Sequence, residues 1–116
     1  MGGQPMRLDL LQGTLDMLIL KAVSWGPNHG YGVARWIQDR TKDSLAVEEG
    51  SLYPALHRMT RKGWLAAQWG VSENNRRARF YRLTAAGRHQ LVEEAKVWRQ
   101  FSRVVDLVMT ADGGPR

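Results

Sequence analysis

Apolar residues follow two rhythms along this chain. Leu15, Leu18, Ile19, Ala22 and Val23 recur three and four residues apart, the spacing of one helix face. The pattern predicts a helix from Thr14 to Ser24, N-capped by Thr14 and stopped by Gly26 and Pro27. Leu8 and Leu11 continue the spacing upstream. A second helix is expected from about Gly30 to Thr41, capped by Asn28 or His29. Tyr31, Ala34 and Ile37 form its inward face, with Val33 and Trp36 flanking. Gly30 and Gly32 weaken its first turn as a free helix and are read as a packing site where another backbone can approach closely. "KDSLAVEE" connects onward, with a brief extended piece at Leu45 to Val47.

A third helix is predicted from about Gly50 to Lys62. With Leu52 at the origin of a helical wheel, Ala55, Leu56 and Met59 fall within ~60° of it. Gly50, Pro54, His57, Arg58 and Arg61 fall on the far side, and Ser51 and Tyr53 flank. Pro54 is expected in the first turn, where its missing N–H leaves no bond unmade. The rhythm then changes to period two. Leu65, Ala67, Trp69 and Val71 alternate with smaller or polar residues, "SENNRR" supplies a turn, and "ARFYRLT" alternates again. This is a β-hairpin. Thr84 is expected to cap a long helix ending near Thr110.

In that last helix Leu91, Trp98 and Val105 stand seven apart, and Phe101 and Val108 repeat the interval offset by three. Such a pattern pairs one helix with another. Three short helices and a hairpin cannot easily cover it, so the face is read as a contact with a second copy. The expected architecture is mainly α with a small β-hairpin: a winged helix-turn-helix plus a long C-terminal dimerisation helix. Residues 1–10 read as a tail, 11–84 as the winged helix-turn-helix, 85–110 as the dimerisation helix and 111–116 as a flexible end.

Charge sharpens this picture. The 116-residue chain carries a net +6, and its placement matters more than its size. From His57 to Arg88 there are eight bases and one acid, Glu73. A local excess points to a polyanion, above all nucleic acid. There is no cysteine, hence no disulfide frame and no thiol chemistry. "MGGQPMRLDLL" lacks the apolar core of a signal peptide, and Met17 to Leu20 is too short an apolar run to span a bilayer. A soluble cytoplasmic protein without a membrane partner is expected.

The residues offer little to catalysis. His29, His57 and His89 lie on three elements without metal-ligand spacing. The adjacent pairs Glu48/Glu49 and Glu93/Glu94 diverge on a helix, and "GPNHGYG" lacks the strand and spacing of a phosphate loop. No catalytic residue, metal site or cofactor is expected, and the chain does not read as an enzyme. A helix in the major groove needs one face in the core and another on bases and phosphates. Ser51, Tyr53, Pro54, His57, Arg58 and Arg61 suit that second face. Arg76, Arg77 and Arg79, at the hairpin tip, suit the flanking minor groove or backbone. The alternative is a winged-helix module that takes an acidic protein on the same basic face. Arginines on both helix and wing favour double-stranded DNA.

"GTLDMLILKAVSWGPNHGYGVA", "GSLYPALHRMTRKGWLAAQW" and "NRRARFYRLTAAGRHQL", in this order and spacing, resemble the PadR family of bacterial winged-helix transcriptional regulators, over Leu11 to about Trp98. The single C-terminal helix matches its smaller subfamily. The resemblance implies a homodimeric repressor on an inverted-repeat operator. It puts Ser51, Tyr53, Pro54, His57 and Arg58 on the recognition helix and Arg76, Arg77 and Arg79 on the wing. The first and last helices would form the dimer contact, through Leu15, Leu18, Leu91, Trp98, Phe101, Val105 and Val108. It also implies a slot for a planar aromatic compound between paired Trp98 rings, completed by Met17, Leu20, Lys21, Ala95 and Ser102. Glu48 and Glu49 depart from the family pattern and would repel phosphate at the start of the recognition helix.

Overall fold

The structure, a computed structural model, describes residues 6, 7 and 12–116. The upstream apolar spacing at Leu8 and Leu11 lies outside them, as does most of the expected N-terminal tail. The first helix, α1, runs Gln12–Ala22 and tightens into a 3-10 turn over Val23–Trp25. Thr14 is therefore inside the helix rather than its cap, and Gly13 is helical too. A glycine costs a helix only ~1 kcal/mol, less than burying Leu15 and Ile19 returns.

A two-residue strand, β2 (Asn28–His29), leads into α2 (Gly30–Arg40). Of the two expected caps it is His29 that serves, its Nδ1 accepting the Gly32 N–H at 3.0 Å. Val33 and Ile37, one turn apart, point into the core, while Tyr31 is exposed. The expected inward place of Tyr31 is thus taken by Val33. Two residues apart on a helix means nearly opposite sides, so the two cannot share it. Beyond α2 a short strand, β3 (Leu45–Ala46), pairs in parallel with β1 (Met6–Arg7).

The third helix, α3, spans Glu49–Arg61. Pro54 is its sixth residue, in the second turn rather than the first as expected. It has no N–H to give the Gly50 carbonyl, and both residues lie exposed, where water can serve that carbonyl. Gly63 ends the helix in the left-handed region at φ +81°. There the Gly63 and Trp64 amides bond to the carbonyls of Thr60 and Met59, an arrangement that favours glycine.

Strands β4 (Leu65–Val71) and β5 (Arg77–Leu83) form the antiparallel hairpin, in register from Leu65 opposite Leu83 to Val71 opposite Arg77. β2 adds to the free edge of β5, giving a three-stranded sheet ordered β2-β5-β4. Thr84 caps the long helix α4 (Ala85–Met109), accepting the Gly87 N–H at 3.0 Å and donating to the Gly63 carbonyl at 2.6 Å. Gly87 is closed in beneath it. A Cβ there would collide with the Trp64 carbonyl oxygen.

The core gathers one face of each of the first three helices with the base of the hairpin: Leu15, Ile19, Leu20, Val33, Leu52, Leu56, Met59, Leu65 and Tyr81. Only the first half of α4 joins it, through Leu91. No helix among the described residues is long and apolar enough to cross a membrane.

Candidate nucleic-acid interface

The wheel of α3 is realised with one exception. Leu52, Ala55, Leu56 and Met59 are buried, Tyr53, Pro54, His57 and Arg61 are exposed, and Ser51 is half-buried. The exception is Arg58, whose guanidinium turns back to the Asp16 carboxylate on α1. Its side chain is 22% exposed and that of Asp16 9%. Burial outweighs Arg58 and raises the Asp16 carboxyl above its ordinary value, with Glu94 adding to the rise. The position expected to read a base instead holds α3 against α1. Arg58 sits at the border of the apolar stripe, and its long stem reaches inward from there.

Tyr53 lies across Gly30, where a Cβ would come within 2.8 Å of its ring. The close approach expected of another backbone at Gly30 is made instead by this side chain. Burial, helped by nearby Glu49, keeps the Tyr53 hydroxyl above its ordinary range, so it remains a neutral donor. Gly32 is approached by the Asn28 side chain.

On the hairpin, period two sends Leu65, Ala67, Tyr81 and Leu83 inward at the base. The same face carries Trp69, Arg77 and Arg79 out towards the tip. These meet Tyr31, Tyr53 and His29 around a cleft of about 290 Å³. Recognition helix, start of α2 and wing thus open onto one space. Arg76 is exposed in the turn, which Asn75 closes with φ +57°.

His29 ties the wing to the helices. Its Nδ1 is used by α2, so the ring proton sits on Nε2, 3.4 Å from the Glu73 carboxylate in the hairpin turn. The ring also meets Phe80 edge-on, 5.3 Å between centroids. Tyr31, His29 and Trp69 were not among the expected contact residues. The alternation around Trp69 was visible, but nothing local marked how far the hairpin base would be covered.

A second concavity, about 380 Å³, lies between α1 and α4. Gly13, Thr14, Met17, Gln90, Glu93, Glu94, Val97, Trp98 and Phe101 line it. Of the six residues expected around a slot, Met17 and Trp98 are there. Leu20 is fully buried in the core, and Lys21 lies over the Trp25 ring. Ala95 and Ser102 do not line the concavity. Leu15, expected to touch a second copy, is likewise a core residue, 2% exposed. Leu18 and Leu91 are half-buried against that core. Trp98, Phe101, Val105 and Val108 present an open apolar stripe on the outer half of α4.

Comparison with known proteins agrees with this geometry. A model of the transcriptional regulator PadR-like family matches residues 19–93. An uncharacterized protein of Lysinibacillus sphaericus is 30% identical over 103 residues, 89% of this chain and 94% of its own. A transcriptional regulator of Mycobacterium tuberculosis is 35% identical over 71 residues, 60% of this chain and 65% of that protein. Among solved structures, a PadR family regulator from Eggerthella lenta superposes with a TM-score of 0.76 at 28% identity, covering 90% of this chain and 89% of its own. A transcriptional regulator from Clostridium thermocellum gives 0.76 at 26%, covering 84% and 95%.

Proposed function

Since the chain belongs to the PadR-like family of transcriptional regulators, we propose that it is a homodimeric repressor that binds an inverted-repeat operator and releases it when a planar aromatic compound occupies the groove between α1 and α4. The family consists of transcriptional regulators, not enzymes, and DNA binding comes with it. One observation carries the finer reading. Tyr53 of α3, whose exposed residues also include His57 and Arg61, lines the same cleft as Arg77 and Arg79 of the wing. A helix in the major groove with a basic hairpin beside it fits a duplex as a single unit.

The support for a dimer comes from α4. Its outer half carries Trp98, Phe101, Val105 and Val108 in the open, on a molecule 61 Å along its longest axis. A contiguous apolar stripe of this kind marks a contact surface, and a second α4 is the complementary shape. Two recognition helices would then sit about one DNA turn apart, ~34 Å. Trp98 and Phe101 belong both to the stripe and to the groove, so a partner helix would close the groove around whatever it holds. Glu93 and Glu94 on its wall favour a cationic ring system.

Fluorescence anisotropy with duplexes selected from a random pool tests this reading. Affinity should fall steeply with salt, as arginines replace condensed counterions. Arg61→Ala should weaken binding and flatten the logarithmic salt slope by about 1 if it touches phosphate. No selected duplex, or an affinity indifferent to salt, would refute the assignment of the basic face.

A further inference from the structure

The wing holds an arrangement that the general reading does not use. Trp69 stands near the outer end of β4, 56% exposed. An indole in water at the end of a strand buries little, so packing does not account for it. What lies against it is Arg77, whose guanidinium carbon is 4.6 Å from the ring centroid. The hairpin register explains the contact. Trp69 faces Arg79 directly and Val71 faces Arg77, which places Trp69 and Arg77 diagonally on one face. That face borders the cleft shared with Tyr53 of the recognition helix.

We infer that Trp69 is a positioning residue which holds Arg77 flat and partly stripped of water, so that the wing reads minor-groove width in the DNA flanking the site. The inference rests on the DNA-binding reading above. With α3 in the major groove, a hairpin beside it reaches across the phosphate strand towards the next minor groove. A narrow A·T-rich groove concentrates negative potential and draws arginine in. Insertion requires the side chain to give up rotamer freedom and hydration. Stacking on an indole takes up much of both beforehand, because the planar guanidinium is weakly hydrated and already fixed against the ring. Lysine cannot substitute, since its compact ammonium keeps its water.

The test uses one core site, selected from a random pool by the parent protein, embedded in flanks of either A-tract or G·C runs. The parent should bind the A-tract version several-fold more tightly. Trp69→Ala should reduce that preference by about two- to fivefold, the worth of an exposed cation–π contact. Trp69→Phe should keep part of it. Arg77→Lys should lose the preference while retaining its salt dependence, because the charge remains. A merely structural tryptophan would weaken both duplexes alike. If Trp69→Ala proves unfolded by circular dichroism, the Phe and Lys variants decide. An unchanged flank ratio in Trp69→Ala, or no flank preference in the parent, overturns the inference and leaves DNA binding intact. A parent that binds no duplex overturns both.

Discussion

Removing Arg58 should unsettle the protein far more than removing any other base of α3. Its guanidinium and the Asp16 carboxylate form a pair whose side chains are 22% and 9% exposed. Breaking a buried pair from one side costs ~3–5 kcal/mol, mostly because a charge is left stranded. The residual exposure of Arg58 argues for less, so Arg58→Met should destabilise by ~2–3 kcal/mol. That is a large part of the ~5–15 kcal/mol that holds a typical domain together. Asp16→Asn in the same background removes the stranded charge and should restore ~1–2 kcal/mol.

The pH dependence follows from the direction of the Asp16 shift. Unfolded, Asp16 titrates near 3.8; folded, burial holds it higher despite Arg58. The folded state therefore takes up the proton first. The stability linked to this group is complete below 3.8 and is lost as pH rises through the raised value. Without Arg58 the carboxyl rises further, so the cost of Arg58→Met should shrink as pH falls from 7.5 towards 5. The double variant should lack that trend. Urea unfolding of the parent, Arg58→Met and the double variant, followed by circular dichroism at one fixed protein concentration, measures all of this. A loss below ~1 kcal/mol for Arg58→Met, or no recovery with Asp16→Asn, would mean that the pair is solvated and the reasoning wrong. A large loss of operator specificity in folded Arg58→Met, with stability unchanged, would return Arg58 to base reading.

Phe101→Asp and Val105→Asp should each yield a monomer in sedimentation at micromolar concentration, because a buried unpaired charge opposes pairing of two α4 helices; a dimer that survives both places the interface elsewhere. Planar cationic dyes should quench the parent's fluorescence and bind Trp98→Ala more weakly while it stays dimeric; equal binding makes Trp98 interface filling alone. Gly87→Ala should cost ~1–3 kcal/mol in urea unfolding, since its methyl meets the Trp64 carbonyl, which is backbone and cannot move aside. Gly30→Ala meets first the Tyr53 ring, which is partly exposed and can swing, so thermal stability should hold while DNA affinity falls; the opposite pattern would make Tyr53 a packing residue.

These contrasts also say what a pattern of apolar and polar letters can carry. The period of α3 placed Leu52, Leu56 and Met59 inside and His57 and Arg61 outside, as the structure has them. Period two gave both hairpin strands to within a residue. A helical wheel fixes an angle, however, and not where a long side chain ends. Arg58 leaves the helix at the border of the stripe, and only the tertiary position of Asp16, 42 residues away, decides that its charge turns inward. Leu15 and Leu20 show the reverse limit. Both are apolar residues on a helix that touches several neighbours, and periodicity cannot divide such residues among own core, groove and partner. β2 was invisible because two residues cannot display a period. Its strand exists because the free edge of β5 offers unpaired donors and acceptors to His29 and Asn28. The unread features are those that depend on what lies across from a residue: Arg58 on Asp16 of α1, and His29 on Glu73 and Phe80 of the hairpin.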